Sequence, residues 1–327
     1  MRFRPFSEGV DVKARSYSRA LERIICDFGA DHAFGQVNMK LQEHYGIVVP
    51  TSAARTITEK HAKKISGKAD LRIRNNPDAD LVIGECDGSM LPIVETSLPE
   101  NSDAPQDRRK TKKLFWKEAR LSMAHAHGSN SLCFAGTMES VAVAGQQLLS
   151  CVEQAGAHKK TQVHCVGDGA SWIANQVEEQ FGSNGTYLID FYHLCEYLSA
   201  AAKTCASNDE KGWLKQQKAA LKLSDWSTVL SMLHSHIEEP DIPDKDAPVR
   251  ACYRYINNRP KQLDYKGAQE KGLPIGSGEI ESAHRYVLQA RLKLAGAWWR
   301  IENAKNMINL RTCRANDLWN EYWKEAA

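Results

Sequence analysis

Two short apolar runs in this chain each end in Asp-Gly, and that pairing restricts the fold more than any other feature. The runs are Leu81-Val-Ile-Gly-Glu-Cys-Asp87-Gly and His164-Cys-Val-Gly-Asp168-Gly-Ala. A four- to eight-residue apolar run closed by a turn dipeptide reads as a buried strand, and the Asp then sits at the strand's carboxyl tip. In open α/β sheets, that edge is where ligands bind. An isolated Asp-Gly mainly marks a turn; two of them, each at the end of a strand, bring carboxylates to one edge.

A third acid lies far along the chain, in Gly276-Ser-Gly-Glu-Ile-Glu281-Ser. Leu273-Pro-Ile-Gly-Ser-Gly ends a loop, and Ser277 is suited to cap a helix running from about Glu279 through Leu294. Glu279 competes with Glu281 as the functional acid, because residues two apart on a helix point to different faces. Glu85 similarly rivals Asp87. It points the same way along an extended strand, which suits it to a supporting position.

The rest of the chain fits an α/β architecture. Strands are expected at 81–86, 118–125, 131–136, 162–166 and 186–190, and helices near 138–154, 170–181 and 191–205. Strands first, then strands alternating with helices, predict a mixed sheet with helices on its faces. Four segments follow: a helical region 1–78, a first core part 79–205, a helical insertion 206–268 and a final core part 269–327. The insertion separates the second carboxylate from the third at little loop-closure cost if it is itself folded.

Within 16–66 the apolar stripes Leu21, Ile24, Ile25, Phe28 and Ala33, Val37, Met39, Leu41 predict helices. Gly46 and Pro50 break the pattern, and Thr51 or Ser52 can cap a following helix. Helix, glycine-containing turn, helix is the helix-turn-helix layout. Its second helix carries Arg55, Thr56, Thr58, Lys60 and His61, polar groups suited to a DNA groove; a solvated helical bundle is the plainer alternative.

Of the 327 residues, 42% are hydrophobic and 25% charged, which argues against disordered and fibrous classes. No apolar stretch approaches the roughly 20 residues of a bilayer span, and Met1-Arg-Phe-Arg-Pro-Phe lacks an apolar signal core, so a cytoplasmic protein without a membrane role is expected. Nine cysteines lie scattered without a C-x-x-C pair, which disfavours zinc and suits reduced, buried thiols. The net charge of +3 is mild, so phosphate attraction depends on clustering. The densest cluster is Arg108, Arg109, Lys110, Lys112 and Lys113, with Lys117 just beyond, a candidate contact to a phosphate backbone. His284, Arg285, Arg291 and Lys293 follow Glu281 at helical spacing and extend that surface. Trp213, Trp226, Trp319 and Trp323 read as core residues, whereas Trp172 suits either packing or base stacking, and Trp298 and Arg300 stay open.

Converging carboxylates repel one another unless protons or cations neutralise them, and hard oxygen donors suit Mg²⁺ or Mn²⁺. A pair of such ions activates water or a hydroxyl in phosphodiester chemistry. The ordered set of Asp87-Gly after a first strand, Trp116-Lys-Glu, Gly167-Asp-Gly-Ala-Ser-Trp-Ile, Asp190-Phe-Tyr-His193 and Gly276-Ser-Gly-Glu-Ile-Glu-Ser resembles the DDE transposases of bacterial insertion sequences, near the ISKra-type and Mutator-like groups, over residues 80–315. The resemblance implies an RNase H-like core, a catalytic triad of Asp87, Asp168 and Glu281 holding two Mg²⁺ or Mn²⁺ ions, and His193 beside the active site, with Asp190 orienting it. It also implies Trp172 near the DNA, terminal-repeat and target DNA as partners, and a homo-oligomer on paired ends. The alternatives are a catalytically silent DNA-binding regulator or a domesticated or truncated relative, and a stand-alone RNase H-like nuclease.

Overall fold

The computed structural model describes residues 17–67, 76–96 and 111–325. Arg108, Arg109 and Lys110 lie outside the described residues, as does the chain start. Five strands form one mixed sheet: β1 (Ala79–Thr96), β2 (Lys112–Ala126), β3 (Cys133–Thr137), β4 (Ala157–Gly167) and β5 (Gly185–Ile189). Their order is β3-β2-β1-β4-β5. β1, β2 and β3 pair antiparallel, while β4 and β5 run parallel to β1. Each parallel step is bridged by a helix: β3 leads through α4 (Val141–Gln154) to β4, and β4 through α5 (Ser171–Phe181) to β5, the crossover that parallel pairing needs.

All five expected strands are present, but β1 is far longer than expected. Asp87 does not end it: the strand continues to Thr96, with Asp87 opposite Leu121 of β2. The glycine that suggested a turn serves close packing instead. A Cβ on Gly88 would fall 2.2 Å from the Glu118 carboxylate across the ribbon. The parallel pairing with β4, however, stops at Glu85 opposite Val166. Beyond that point β1 survives only in its ribbon with β2, so Asp87 still lies at the carboxyl edge of the parallel half of the sheet.

Alternate residues of β1 face different layers, as a strand's period of two requires. Val82 and Cys86 pack with Leu148, Cys151 and Val152 of α4. Leu91 and Ile93 face a second layer built from the start and the end of the chain. That layer holds α1 (Arg19–Asp31), α2 (Phe34–Tyr45), α3 (Thr51–Ser66), α11 (Gly278–Ala283), α12 (Ile301–Ala315) and α13 (Trp319–Glu325). The fully buried side chains of the core between this layer and the sheet, such as Leu121 and Met123 of β2 with Leu292 and Ile308, each contribute about 1.5–3 kcal/mol. α11 runs on through a π-helical turn at His284–Gln289 and a last α-helical turn at Ala290–Leu292.

Residues 206–268 hold four α-helices joined by turns and short 3-10 segments. α7 (Glu210–Lys222), α8 (Trp226–His234), α9 (Pro248–Asn257) and α10 (Tyr265–Glu270) pack on one another and on α6 (Phe191–Cys205). Trp213 and Trp323 are buried, and Trp226 and Trp319 pack at the margins of the same cores. The nine cysteines are free thiols and eight are buried.

The helix-turn-helix layout needs correction at its second helix. Pro50, not Thr51 or Ser52, occupies the cap position of α3, and no side chain caps it. Thr58 is buried, its hydroxyl donating to the Ala54 carbonyl, and a Cβ on Gly29 would collide with it. His61 is 3% exposed, held between the Tyr322 hydroxyl and Glu22. Both residues face the α1 and α13 side rather than solvent, so neither is free to enter a groove. Arg55 and Thr56 are exposed; Lys60 is exposed and paired with Glu22.

Candidate active site: a row of carboxylates at the sheet edge

Strand register explains how residues far apart in sequence meet. Glu85 opposes Val166, so two residues further on Asp87 comes beside Asp168. Gly167 opposes Ile189, so the next step brings Asp168 beside Asp190. Neighbouring strands are about 4.8 Å apart, which sets the three aspartates in one row across β1, β4 and β5.

Asp190 is not available to a ligand. It is 2% exposed, and its two oxygens accept four hydrogen bonds. One oxygen takes the amides of Tyr192 (2.6 Å) and His193 (2.9 Å), capping α6; the other takes the amide and hydroxyl of Ser277, each at 2.6 Å. Asp190 thereby ties the Gly-Ser-Gly loop to the start of α6. It thus holds the backbone of His193, the residue that the resemblance has it orient, and it also holds the loop from which α11 begins.

Asp87 and Asp168 are different, both half-buried with oxygens to spare. One Asp87 oxygen accepts from the Gly88 amide at 2.6 Å. Burial pushes its carboxyl up to about 6, the negative charges of Asp168 and Glu118 push the same way, and His193 opposes them. Asp168 accepts from the Ala170 amide at 2.8 Å. Its turn is rigid: Gly169 has a φ of +83°, and a Cβ there would strike the Tyr255 hydroxyl. The Tyr255 hydroxyl donates to the Asp168 carbonyl at 2.6 Å, the Gly169 amide donates to the Tyr187 hydroxyl at 3.0 Å, and the Arg259 guanidinium donates to the Gly169 carbonyl at 3.1 Å. The helical insertion thus supplies two of the three clamps.

α11 is fastened over β1 at two points. The Glu85 carboxyl, 1% exposed, accepts from the Ile280 amide at 2.8 Å. His284 lies 3.1 Å from the Asp87 carbonyl and 3.6 Å from its carboxylate. Burial drives the His284 imidazole down to about 4, so the ring is neutral near pH 7 and its Nε2–H donates to Asp87. His284 therefore contacts Asp87 and not DNA. Arg291 is likewise withdrawn: it is buried, donates to the Gly29 carbonyl at 2.9 Å and stacks between Phe34 and Trp299. Arg285 and Lys293 remain exposed.

Glu279 and Glu281 both lie exposed on α11. Glu279 reaches His125 at 3.1 Å, whereas the Glu281 side chain has no hydrogen bond or ion pair among the described residues. Glu281 is close enough to Glu85 for its charge to bear on that carboxyl. Among the described residues, no three His, Cys, Asp or Glu side chains are gathered tightly enough to hold one ion. The structure brings Asp87 and Asp168 together, with Glu281 on the adjoining helix. In chemistry this donor set fits a hard divalent cation: the ligating atoms are carboxylate oxygens, the pair repels itself, and the thiols are buried in the cores.

His193 sits on the first turn of α6, partly exposed, 3.7 Å from Glu196 and against the rings of Tyr197 and Tyr255. Trp172 is half-buried with the Arg120 guanidinium 5.2 Å from its ring centre, so one face is occupied. Lys112 and Lys113 are exposed at the start of β2, and Lys117 is half-buried on the same strand. Trp116 and Trp298 stand side by side, both largely exposed, with rings 6.2 Å apart. Glu118, Tyr255 and Arg259 escaped sequence reasoning. Glu118 stands within Trp116-Lys-Glu but has no spacing that ties it to Asp87, and no local pattern marks the other two.

The buried Glu85 makes a pH prediction. Burial pushes its carboxyl up to about 8, and Glu279, Asp190 and Glu281 add to the effect. Between about pH 5 and pH 8 the folded protein then keeps a proton that the unfolded chain has lost, so stability falls as pH rises through that window. Glu85→Gln keeps an acceptor for Ile280 and removes the titration. Urea midpoints of the wild type should decline across this range more steeply than those of the variant, with the variant the more stable at pH 8 by on the order of a few kcal/mol. Parallel curves would contradict the assignment.

The "UPF0236 protein in vanSb 3'region" of Streptococcus gallolyticus is 26% identical over 163 residues, covering 48% of this chain and 34% of that protein, so the match spans about a third of the relative's length. A solved structure, the Drosophila P element transposase strand transfer complex, overlaps 98% of this chain and 84% of its own at a TM-score of 0.35 and 10% identity. The model of an uncharacterised protein family, UPF0236, matches residues 142–325, a stretch that takes in Asp168, Asp190, His193 and Glu281 and begins after Asp87. That match covers more than half of the chain, and the protein belongs to the UPF0236 family.

Proposed function

We propose that this protein is a DNA transposase that cleaves and joins phosphodiester bonds with divalent metal ions held by Asp87, Asp168 and Glu281. The observation that carries the reading is the Asp87–Asp168 pair on neighbouring parallel strands, with α11 locked over it by Glu85 and His284. The five-stranded order with an antiparallel β1–β3 meander and parallel β4 and β5 supports an RNase H-like core. The ordered motifs Asp87-Gly, Gly167-Asp-Gly, Asp190-Phe-Tyr-His193 and Gly276-Ser-Gly-Glu-Ile-Glu281 support the transposase assignment within that fold.

When bound, Mg²⁺ or Mn²⁺ polarises the attacking and leaving oxygens of an in-line displacement at phosphorus. The protein's own contribution is to hold the donors. The three hydrogen bonds around the Asp168 turn fix its carboxylate, and His284 fixes the backbone of Asp87. Asp190 fixes the loop from which α11 and Glu281 start. Glu281, free of the contact to His125 that engages Glu279, is the third donor in this reading. His193, on the first turn of α6, is in this reading the group that meets the scissile phosphate, while Asp190 already occupies the amides of that helix start. Lys112, Lys113, Lys117, Arg285 and Arg55 are the cations of this reading that contact the DNA backbone, together with Arg108, Arg109 and Lys110 outside the described residues.

The test is incubation of purified protein with Mn²⁺ and DNA carrying the inverted repeats that flank its gene. Cleavage at the repeat ends followed by joining to target DNA is the expected result. Binding to the repeats without cleavage would instead make it a DNA-binding relative without turnover, and cleavage unconnected to the repeats a nuclease.

A further inference from the structure

Helix α7 of the insertion presents a row of cations that the site described above does not use. Lys211, Lys215, Lys218 and Lys222 recur at intervals of four, three and four residues, which sets them on one face of the helix. The opposite face is buried through Trp213, Gln217 and Leu221. None of the four lysines is ion-paired among the described residues. Together with Leu214, Ala219 and Phe191 they line an open trough of about 440 Å³.

An ordinary solvated helix face mixes acids among its lysines, because like charges three or four residues apart each cost about 0.2–0.5 kcal/mol. This face has three such like-charged pairs, and the helix's one acidic residue, Glu210, lies ahead of them. An arrangement unfavourable in isolation is relieved by a polyanion. From Lys211 to Lys222 the row extends roughly 16 Å along the helix. Along the axis of a DNA duplex each strand advances one phosphate every 3.4 Å or so, and the phosphates wind around that axis, so the row matches about five base-pair steps in length. Its far end reaches the start of α6: the Lys222 ammonium lies 5.4 Å from the ring of Phe191, the residue between Asp190 and Tyr192.

We infer that this lysine row is a binding surface for the backbone of duplex DNA, feeding the strand toward the carboxylate pair. The inference rests on the transposase reading for its choice of polyanion, but its test is separate. Binding of a fluorescent 30-base-pair duplex is measured by anisotropy in EDTA, where metal chemistry is silent, from about 50 to 200 mM salt. The proteins are the full chain, a variant with Lys211, Lys215, Lys218 and Lys222 all changed to Gln, and one with all four changed to Arg.

If all four lysines meet phosphates, the slope of log affinity against log salt becomes shallower by about 3 to 4 in the Gln variant. Its affinity near 100 mM salt falls by tenfold or more, and the Arg variant behaves as the wild type. Unchanged affinity and slope in the Gln variant overturn the inference, as does a wild type that binds no duplex or prefers phosphatidylserine vesicles to it. Duplex binding that depends on the lysines, in a protein that cleaves nothing with Mn²⁺, supports this surface while overturning the transposase reading.

Discussion

Asp87→Asn and Asp168→Asn are each expected to lower metal-dependent DNA cleavage by at least about 10³-fold while leaving the protein folded. Both substitutions preserve shape and one acceptor oxygen, so the hydrogen bonds from Gly88 and Ala170 can persist. They remove the charge that a divalent cation needs. Metal polarisation of the reacting oxygens is worth several kcal/mol, and each 1.4 kcal/mol or so is tenfold in rate. Asp87→Asn also removes the charge that burial, and after it the repulsion from Asp168 and Glu118, disfavours, pushing the carboxyl up to about 6, so the variant should melt no lower than the wild type. Single-turnover cleavage with Mn²⁺, measured beside a thermal melt, separates lost chemistry from lost structure. Retained cleavage in both variants would remove the two aspartates from the reaction.

The largest stability effect is expected at Asp190, which holds no ligand. Asp190→Ala leaves three amides and a hydroxyl at a buried position without an acceptor. A buried donor left unsatisfied costs about 1–3 kcal/mol, so the combined loss should reach about 4 kcal/mol or more. For a chain of this size that corresponds to a melting temperature lower by roughly 5–10 °C. Ser277→Ala removes only the hydroxyl bond and should cost about 1 kcal/mol. Because Ser277 starts the segment that carries Glu281, cleavage should fall in Asp190→Ala even at temperatures where the protein remains folded. A melt indistinguishable from the wild type would show that the four contacts do not act together.

The strand positions and both aspartates could be read from sequence because apolar runs and turn dipeptides are local signals. The extent of β1 could not, since a glycine after Asp87 looks the same whether it makes a turn or clears space for Glu118. Polar residues misled in the same manner. Thr58, His61, His284 and Arg291 appeared suited to DNA by type and spacing, yet each is buried with a partner. For His61 that partner is Tyr322, 261 residues away. The exposed neighbours Arg55, Arg285 and Lys293 carry the same sequence signal, and only packing tells the two groups apart.

At the site, the acid at the end of a strand was evident and its supports were not. Tyr255 and Arg259 clamp the Asp168 turn from a separate helical segment, and they do so through backbone carbonyls that any residue would offer. The preference for Glu281 over Glu279 came from family resemblance. The contact between Glu279 and His125 at 3.1 Å adds a physical reason.

The most direct test is a crystal of the protein soaked in Mn²⁺ and examined by anomalous scattering. The expected result is a manganese peak between Asp87 and Asp168, with carboxylate oxygens of both within about 2.0–2.6 Å and Glu281 completing the shell. Well-ordered Asp87 and Asp168 side chains with no peak between them, or lying more than about 10 Å apart, would contradict it.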